Sequence, residues 1–141
     1  HLLKRGTITI DQHFDCGREV LCNRNELQQV LINLMVNGIQ AMPEGGTLTL
    51  ATEEWDEADM PLGWKLIVGD SGPGIPQEDQ TRLFQPFFTA KKPGGTGLGL
   101  WVSLSLVERY GGSITVDSAA GRGTRFTVWM RFEPLALDRV Q

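Results

Sequence analysis

Polar and apolar residues alternate along Thr7-Ile8-Thr9-Ile10, the period of a half-buried strand, and Glu19-Val20-Leu21-Cys22 reads as a second short strand. The period then changes. From Asn25 to Met42 the apolar residues fall at helical spacing, with Leu27, Leu31, Leu34, Gly38 and Met42 on one stripe and Val30, Asn33, Asn37 and Gln40 on the adjacent one. Asn23 stands at the N-cap with Glu26 in a capping-box pattern, and Pro43 with Gly45-Gly46 stops the helix. Alternation returns at Thr47–Thr52, whose expected hairpin partner is Trp64–Val68 across an acidic loop from Glu53 to Asp59. Asp70–Ile75 is a turn directly after that strand, and a short helix is expected from Pro76 to Phe84 with Pro at its start. Gln85–Gly95 has no period and reads as a loop. A helix follows from Gly97 to Tyr110, closed by Gly111-Gly112. Ser113–Asp117 and Gly123–Phe132 are two closing strands. Hairpins and helices in this order predict an α/β two-layer sandwich, with a mixed, mostly antiparallel sheet of about five strands covered on one face by about three helices.

Length and charge narrow the picture. The chain has 141 residues, enough for one domain with a real core. Residues 1–133 are read as that domain and Pro134–Gln141 as a frayed tail. A net charge of −4 gives no basic face for duplex nucleic acid or anionic lipid, so neither is an expected partner. No apolar run approaches the roughly 18 residues of a membrane span; the longest, Val30 to Val36, is broken by Asn33. Cys16 and Cys22 are too few to staple the domain and read as free, partly buried thiols of a reducing compartment. With neither an initiator Met nor a signal segment, His1 is expected to open a fragment of a longer protein. There are 17 glycines, about 12% against an average near 7%. They cluster between Gly69 and Gly123, a local demand for unusual backbone.

Two segments in that region and one before it carry chemistry. Asn33 and Asn37 project from one helix face, where amides are mildly unfavourable; they are either satisfied core amides or oxygen donors for a hard cation such as Mg²⁺. Asp70 ends a strand and precedes Gly72-x-Gly74; it is either an ordinary turn residue or a carboxylate accepting from an exocyclic amine, with the glycines admitting a flat ligand. Gly95-Thr96-Gly97-Leu98-Gly99-Leu100 opens a helix, whose N–H groups and positive dipole end suit phosphate. It is not a Walker loop, and no hydrophobic strand precedes it as the dinucleotide fingerprint requires.

Taken together, the Asn-x-x-x-Asn helix, Asp70-x-Gly72-x-Gly74-Ile75, Phe84-x-Pro86-Phe87 and Gly95–Leu100 resemble the catalytic and ATP-binding domain of two-component sensor histidine kinases, in the GHKL superfamily with the Bergerat ATP-binding fold. In that family they are the N box, first glycine box, F box and second glycine box. Gly121–Phe126 is similar to its last glycine segment, so the resemblance covers about Thr7 to Phe132. It implies ATP and Mg²⁺ as cofactors. Asn37 would ligate the metal and Asn33 would support it or its water shell. Asp70 would bind the adenine amine, Gly72, Gly74 and Ile75 would let the base lie close, and Thr124 would stand beside it. Thr89 and Lys91 would lie in a short lid with Lys91 near the phosphates, and Gly95, Thr96, Gly97, Leu98 and Gly99 would form the phosphate-side wall. Two residues depart from the family pattern: Gly38 replaces a frequent Ala, which should loosen the helix by up to ~1 kcal/mol, and Gln40 replaces a basic residue, so Lys91 carries more of the phosphate charge.

ATP-hydrolysing relatives place a Glu one turn before the metal-binding Asn as base for water. Here that position is Asn33, which cannot take a proton, so the resemblance implies a protein-histidine kinase rather than a hydrolase. The acceptor is not in this chain: His1 lies at its end, and His13 follows a strand-like run. The implied partners are a dimerisation and histidine-phosphotransfer domain of the same protein and a response regulator. The expected setting is the cytoplasm, under a parent that is either soluble or membrane-anchored, with the isolated domain monomeric. A serine kinase of the same superfamily and a nucleotide-sensing module without transfer activity are the alternatives.

Overall fold

A computed structural model describes residues 6–14, 22–58, 60–88 and 98–132. The elements are β1 (Ile8–Phe14), α1 (Arg24–Gln40), β2 (Gly46–Glu57), β3 (Met60–Asp70), α2 (Gln77–Gln80), α3 (Gly99–Glu108), β4 (Ser113–Ala119) and β5 (Gly123–Arg131). They form one sheet in the order β1-β2-β3-β5-β4. β1 runs parallel to β2, so α1 is the crossover between them, and the remaining pairs are antiparallel.

Side chains alternate across the strands, and one face takes nearly all the large apolar ones. Leu48, Leu50, Trp64, Leu66, Val68, Ile114, Phe126, Val128 and Met130 are buried beneath Val30 and Leu34 of α1 and Val107 of α3. Each such burial stabilises by ~1.5–3 kcal/mol, so the buried Val30 and Leu34 hold α1 on the sheet, with Gly38 letting it approach closely. The opposite face is covered by its own long side chains. Trp55 and Trp129 meet edge to face at 6.0 Å, Lys65 lies 5.0 Å over the Trp129 ring, and Trp129 Nε1 donates to Thr115 Oγ1 at 2.9 Å.

The predicted two-layer architecture is observed, with three helices on the five-stranded sheet. Several boundaries differ. The acidic segment from Glu53 is strand as far as Glu57, because it projects past the core where carboxylates stay solvated and Glu53 pairs with Lys65 at 3.2 Å. β1 likewise continues through Asp11–His13, since an exposed edge strand tolerates polar residues on both faces. The helix expected over 76–84 closes after Gln80: Pro76 is its N-cap, and turns follow to Phe87. α1 ends two residues before Met42. The strand expected at Glu19–Cys22 falls outside the described residues except at Cys22, which is not in a strand, and the expected tail and Gly97, the first residue of the helix expected over 97–110, also fall outside them.

Candidate nucleotide site

The site is built along α1. At its start, Asn23 Oδ1 accepts from the backbone N–H groups of Asn25 and Glu26 at 2.8 and 3.1 Å. Only half of the capping box forms. Tyr110 Oη takes the Asn23 N–H at 3.1 Å, while Glu26 turns to the Tyr110 hydroxyl and to Arg109 Nη1 at 2.9 Å. That bond to Glu26 raises the Tyr110 pKa, and burial followed by the Glu26 charge raises that of the free thiol Cys22. The clamp joins the beginning of α1 to the end of α3, so the two helices run antiparallel and the beginning of α3 meets the second half of α1.

There Asn33 Nδ2 donates to Gly99 O at 3.3 Å and to Ser103 Oγ at 3.1 Å, while Asn33 Oδ1 accepts from Gln29 Nε2 at 2.8 Å. Ser103 is fully buried. The Asn33 amide therefore braces α1 against the first turn of α3. One turn on, Asn37 is half-buried and Gly38 is buried against the sheet. A Cβ on Gly38 would stand 2.8 Å from Leu48 Cδ1 and 3.5 Å from Asp70 Cβ. The expected loosening of the helix by Gly38 is thus accompanied by a closer seat of α1 on the sheet beside Asp70.

Asp70 ends β3, in register between Leu48 of β2 and Thr124 of β5. Its Oδ1 accepts from Gly72 N at 2.9 Å, which folds the turn back. Ser71 locks the same turn: its N–H donates to Thr47 O at 3.2 Å and its Oγ accepts from Thr47 N at 2.9 Å. Gly74 has φ +85, and a Cβ there would meet Ala119 O at 2.2 Å, so only glycine lets this turn lie against the β4–β5 turn. Ile75 N donates to Ser118 Oγ at 2.8 Å, and Gln80 Nε2 donates to Ile75 O and Ser118 O at 2.9 and 3.2 Å.

The structure thus brings Asn37, Asp70, Gly72, Gly74, Ile75 and Thr124 around one end of α1. Leu98 and Gly99 open α3 beside Asn33. Thr89, Lys91, Gly95, Thr96 and Gly97 lie outside the described residues. Sequence reasoning missed Ser71, an unspecified position inside the Asp70–Ile75 motif, and Gln80, Ser103 and Ser118, single polar residues outside the motifs. The residues present fit a purine nucleotide: a carboxylate at a strand end, backbone bared by two glycines, and a helix start. Asn37 carries an amide oxygen, a hard ligand type of the kind Mg²⁺ takes alongside phosphate and water.

Residues 22–134 match the histidine kinase-, DNA gyrase B- and HSP90-like ATPase family. The chain belongs to this family. The chain is 41% identical over 112 residues to the sensor histidine kinase ZraS of Escherichia coli O157:H7, covering 79% of this chain and 23% of that protein. It therefore spans about a quarter of that relative's length. Among solved structures, a mycobacterial sensor histidine kinase, MprB, superposes with a TM-score of 0.79 at 25% identity, over 91% of this chain and 86% of that one. Full-length ShkA in complex with AMPPNP superposes with a TM-score of 0.77 at 26% identity, over 92% of this chain and 26% of that one. Two further charged or titratable side chains lie on the surface. Arg82 is exposed, pairs with Asp79 at 3.5 Å and covers the Phe88 ring at 4.7 Å, while His13 is exposed beside Asp11 at 3.0 Å. No helix among the described residues is long and apolar enough to cross a membrane.

Proposed function

We propose that this chain binds ATP with Mg²⁺ between α1, the Asp70–Ile75 turn and the start of α3, and passes the γ-phosphoryl group to a histidine on a separate dimerisation segment. From there an aspartate of a response regulator receives it, in the cytoplasm. One observation carries the choice of kinase over hydrolase. The residue one turn before Asn37 is Asn33, whose amide is engaged by Gln29, Gly99 and Ser103 and has no capacity to accept a proton from water. A histidine acceptor brings its own nucleophilic nitrogen and needs no such base.

Phosphoryl transfer asks the protein for position and charge neutralisation. Asp70 orients the base through its amine, and Gly72 and Gly74 keep side chains out of the plane where it lies. Asn37 holds the cation, which when bound neutralises charge on the phosphates. Lys91 and Thr89 close over the phosphates, with Lys91 supplying the positive charge that Gln40 does not. Gly95, Thr96, Gly97, Leu98 and Gly99 offer backbone N–H groups on the other side. Phe87, 74% exposed at φ 68, offers an apolar contact for the incoming segment.

The test supplies the parent protein's dimerisation segment in trans with γ-labelled ATP. Acid-labile, alkali-stable label on that segment, absent with Asn37→Ala, is the expected result. Acid-stable label would favour a serine kinase. Rapid phosphate release without any acceptor would return the chain to the hydrolases.

A further inference from the structure

We propose that Ser118 is a positioning residue for base recognition, because it fixes the hydroxyl of Thr124 as a hydrogen-bond acceptor beside the Asp70 carboxylate. A serine hydroxyl has one proton and two lone pairs. Ser118 Oγ gives its proton to Gly123 O at 2.9 Å and accepts from Ile75 N at 2.8 Å. Its remaining contact is Thr124 Oγ1 at 2.8 Å, and that bond has to be filled by the Thr124 proton. With its proton directed to Ser118, Thr124 has only lone pairs for other neighbours. Thr124 is 6% exposed and is the register partner of Asp70, so their Cβ atoms stand roughly 4.5–5.5 Å apart on one sheet face.

That end of the crevice then presents two acceptors side by side. A purine with a 6-amino group meets them with N–H donors. A purine lacking that amine loses the bond, and one with a 6-oxo group sets acceptor against acceptor. Gln80 keeps the arrangement in register, since its amide holds the carbonyls of both Ile75 and Ser118. This inference rests on the nucleotide reading given above.

The experiment measures the affinity of the chain for ATP and for purine riboside triphosphate, which lacks the 6-amino group. The wild type is expected to prefer ATP. Ser118→Ala frees the Thr124 proton to rotate, and the preference should fall by about 3- to 10-fold, the worth of one hydrogen bond; Ser118→Thr, which keeps the hydroxyl, should restore it. Thr124→Val should lose the same preference, and adding Ser118→Ala to it should cost nothing more. An unchanged preference in Ser118→Ala, or equal weakening of both ligands, overturns the proposal. If thermal melting shows that Ser118→Ala does not hold its fold, the comparison of Thr124→Val with Thr124→Ser decides it, and an unchanged preference in Thr124→Val overturns it. A wild type that does not bind ATP, or that shows no preference for the 6-amino base, overturns the nucleotide reading itself; a wild type that prefers ATP together with a Ser118→Ala variant that keeps the full preference overturns only the role of Ser118.

Discussion

The two ends of the proposed nucleotide crevice, the adenine end at Asp70 and the phosphate end at Gly99, differ in what surrounds their glycines. At the adenine end a Cβ on Gly74 would come within 2.2 Å of Ala119 O, and one on Gly123 within 2.0 Å of Asp70 O, both at positive φ. Strand ends and turns are pressed together there, and the fold itself demands the glycines. At the phosphate end the nearest atoms to a Cβ on Gly99 belong to Asn33, at 4.0 Å. Among the described residues nothing crowds a side chain at Gly99, and under the nucleotide reading proposed above a glycine there keeps the approach to the start of α3 open. Gly74 and Gly123 are architecture; Gly99 meets no such crowding among the described residues.

The sharpest break between the two ends is Asn37→Ala. It leaves base recognition in place, and calorimetry should show ATP still binding but no longer tightened by magnesium. Transfer should fall at least about 100-fold, beyond the cost of losing a residue that merely supports a metal ligand. Gly74→Ala acts in the opposite sense. It should destabilise the fold by about 3 kcal/mol in denaturant titration, through strain at positive φ and a clash with backbone. Asp70→Asn replaces an acceptor with donors, so ATP affinity should drop by about 1–3 kcal/mol with stability nearly unchanged. The wild type should bind GTP poorly; equal competition by GTP would remove the base-recognition role of Asp70.

Tyr110→Phe probes the far end of the helix pair. It should lower stability by about 1 kcal/mol and leave nucleotide affinity intact. The pH dependence has a definite sign. The Tyr110 pKa is raised in the folded chain by its bond to Glu26. The folded state therefore holds that proton more tightly, its contribution is complete below the ordinary tyrosine range, and it is lost as pH rises through the raised value. The wild type should lose this increment in alkali and the Phe variant should not. The smallest effect belongs to Gly99→Ala: melting should stay within about 0.5–1 kcal/mol of wild type or rise, as alanine suits a helix, while nucleotide affinity falls.

Much of this was legible along the chain. Asn23 and the stripe through Leu27, Leu31 and Leu34 set α1, because capping and amphipathic period are local and agree with the tertiary fold. The motif residues of the adenine end were legible because turns demand particular residue types. Glu53–Glu57 was not, since four acidic residues around Trp55 look like loop; pairing with β3 and the contact of Trp55 with Trp129 are set by residues distant in sequence. Ser118 and Gln80 were illegible for a similar reason. An isolated hydroxyl or amide has no period, and its use depends on which backbone groups the topology brings within reach. Asn33 was half legible: its pattern announced a role, but its bonds to Gly99 and Ser103 span 66 and 70 positions.

The placement of the aromatic residues gives the chain an optical asymmetry. Trp64 is buried in the core, and Trp55 and Trp129 stand edge to face at 6.0 Å on the opposite face of the sheet. Trp101, 42% exposed, sits two residues after Gly99 in the first turn of α3. Of the four indoles it is the one at the start of α3, so under the nucleotide reading its emission should change on adding ATP to the unlabelled protein, and an emission unchanged by ATP would place the ligand away from this turn.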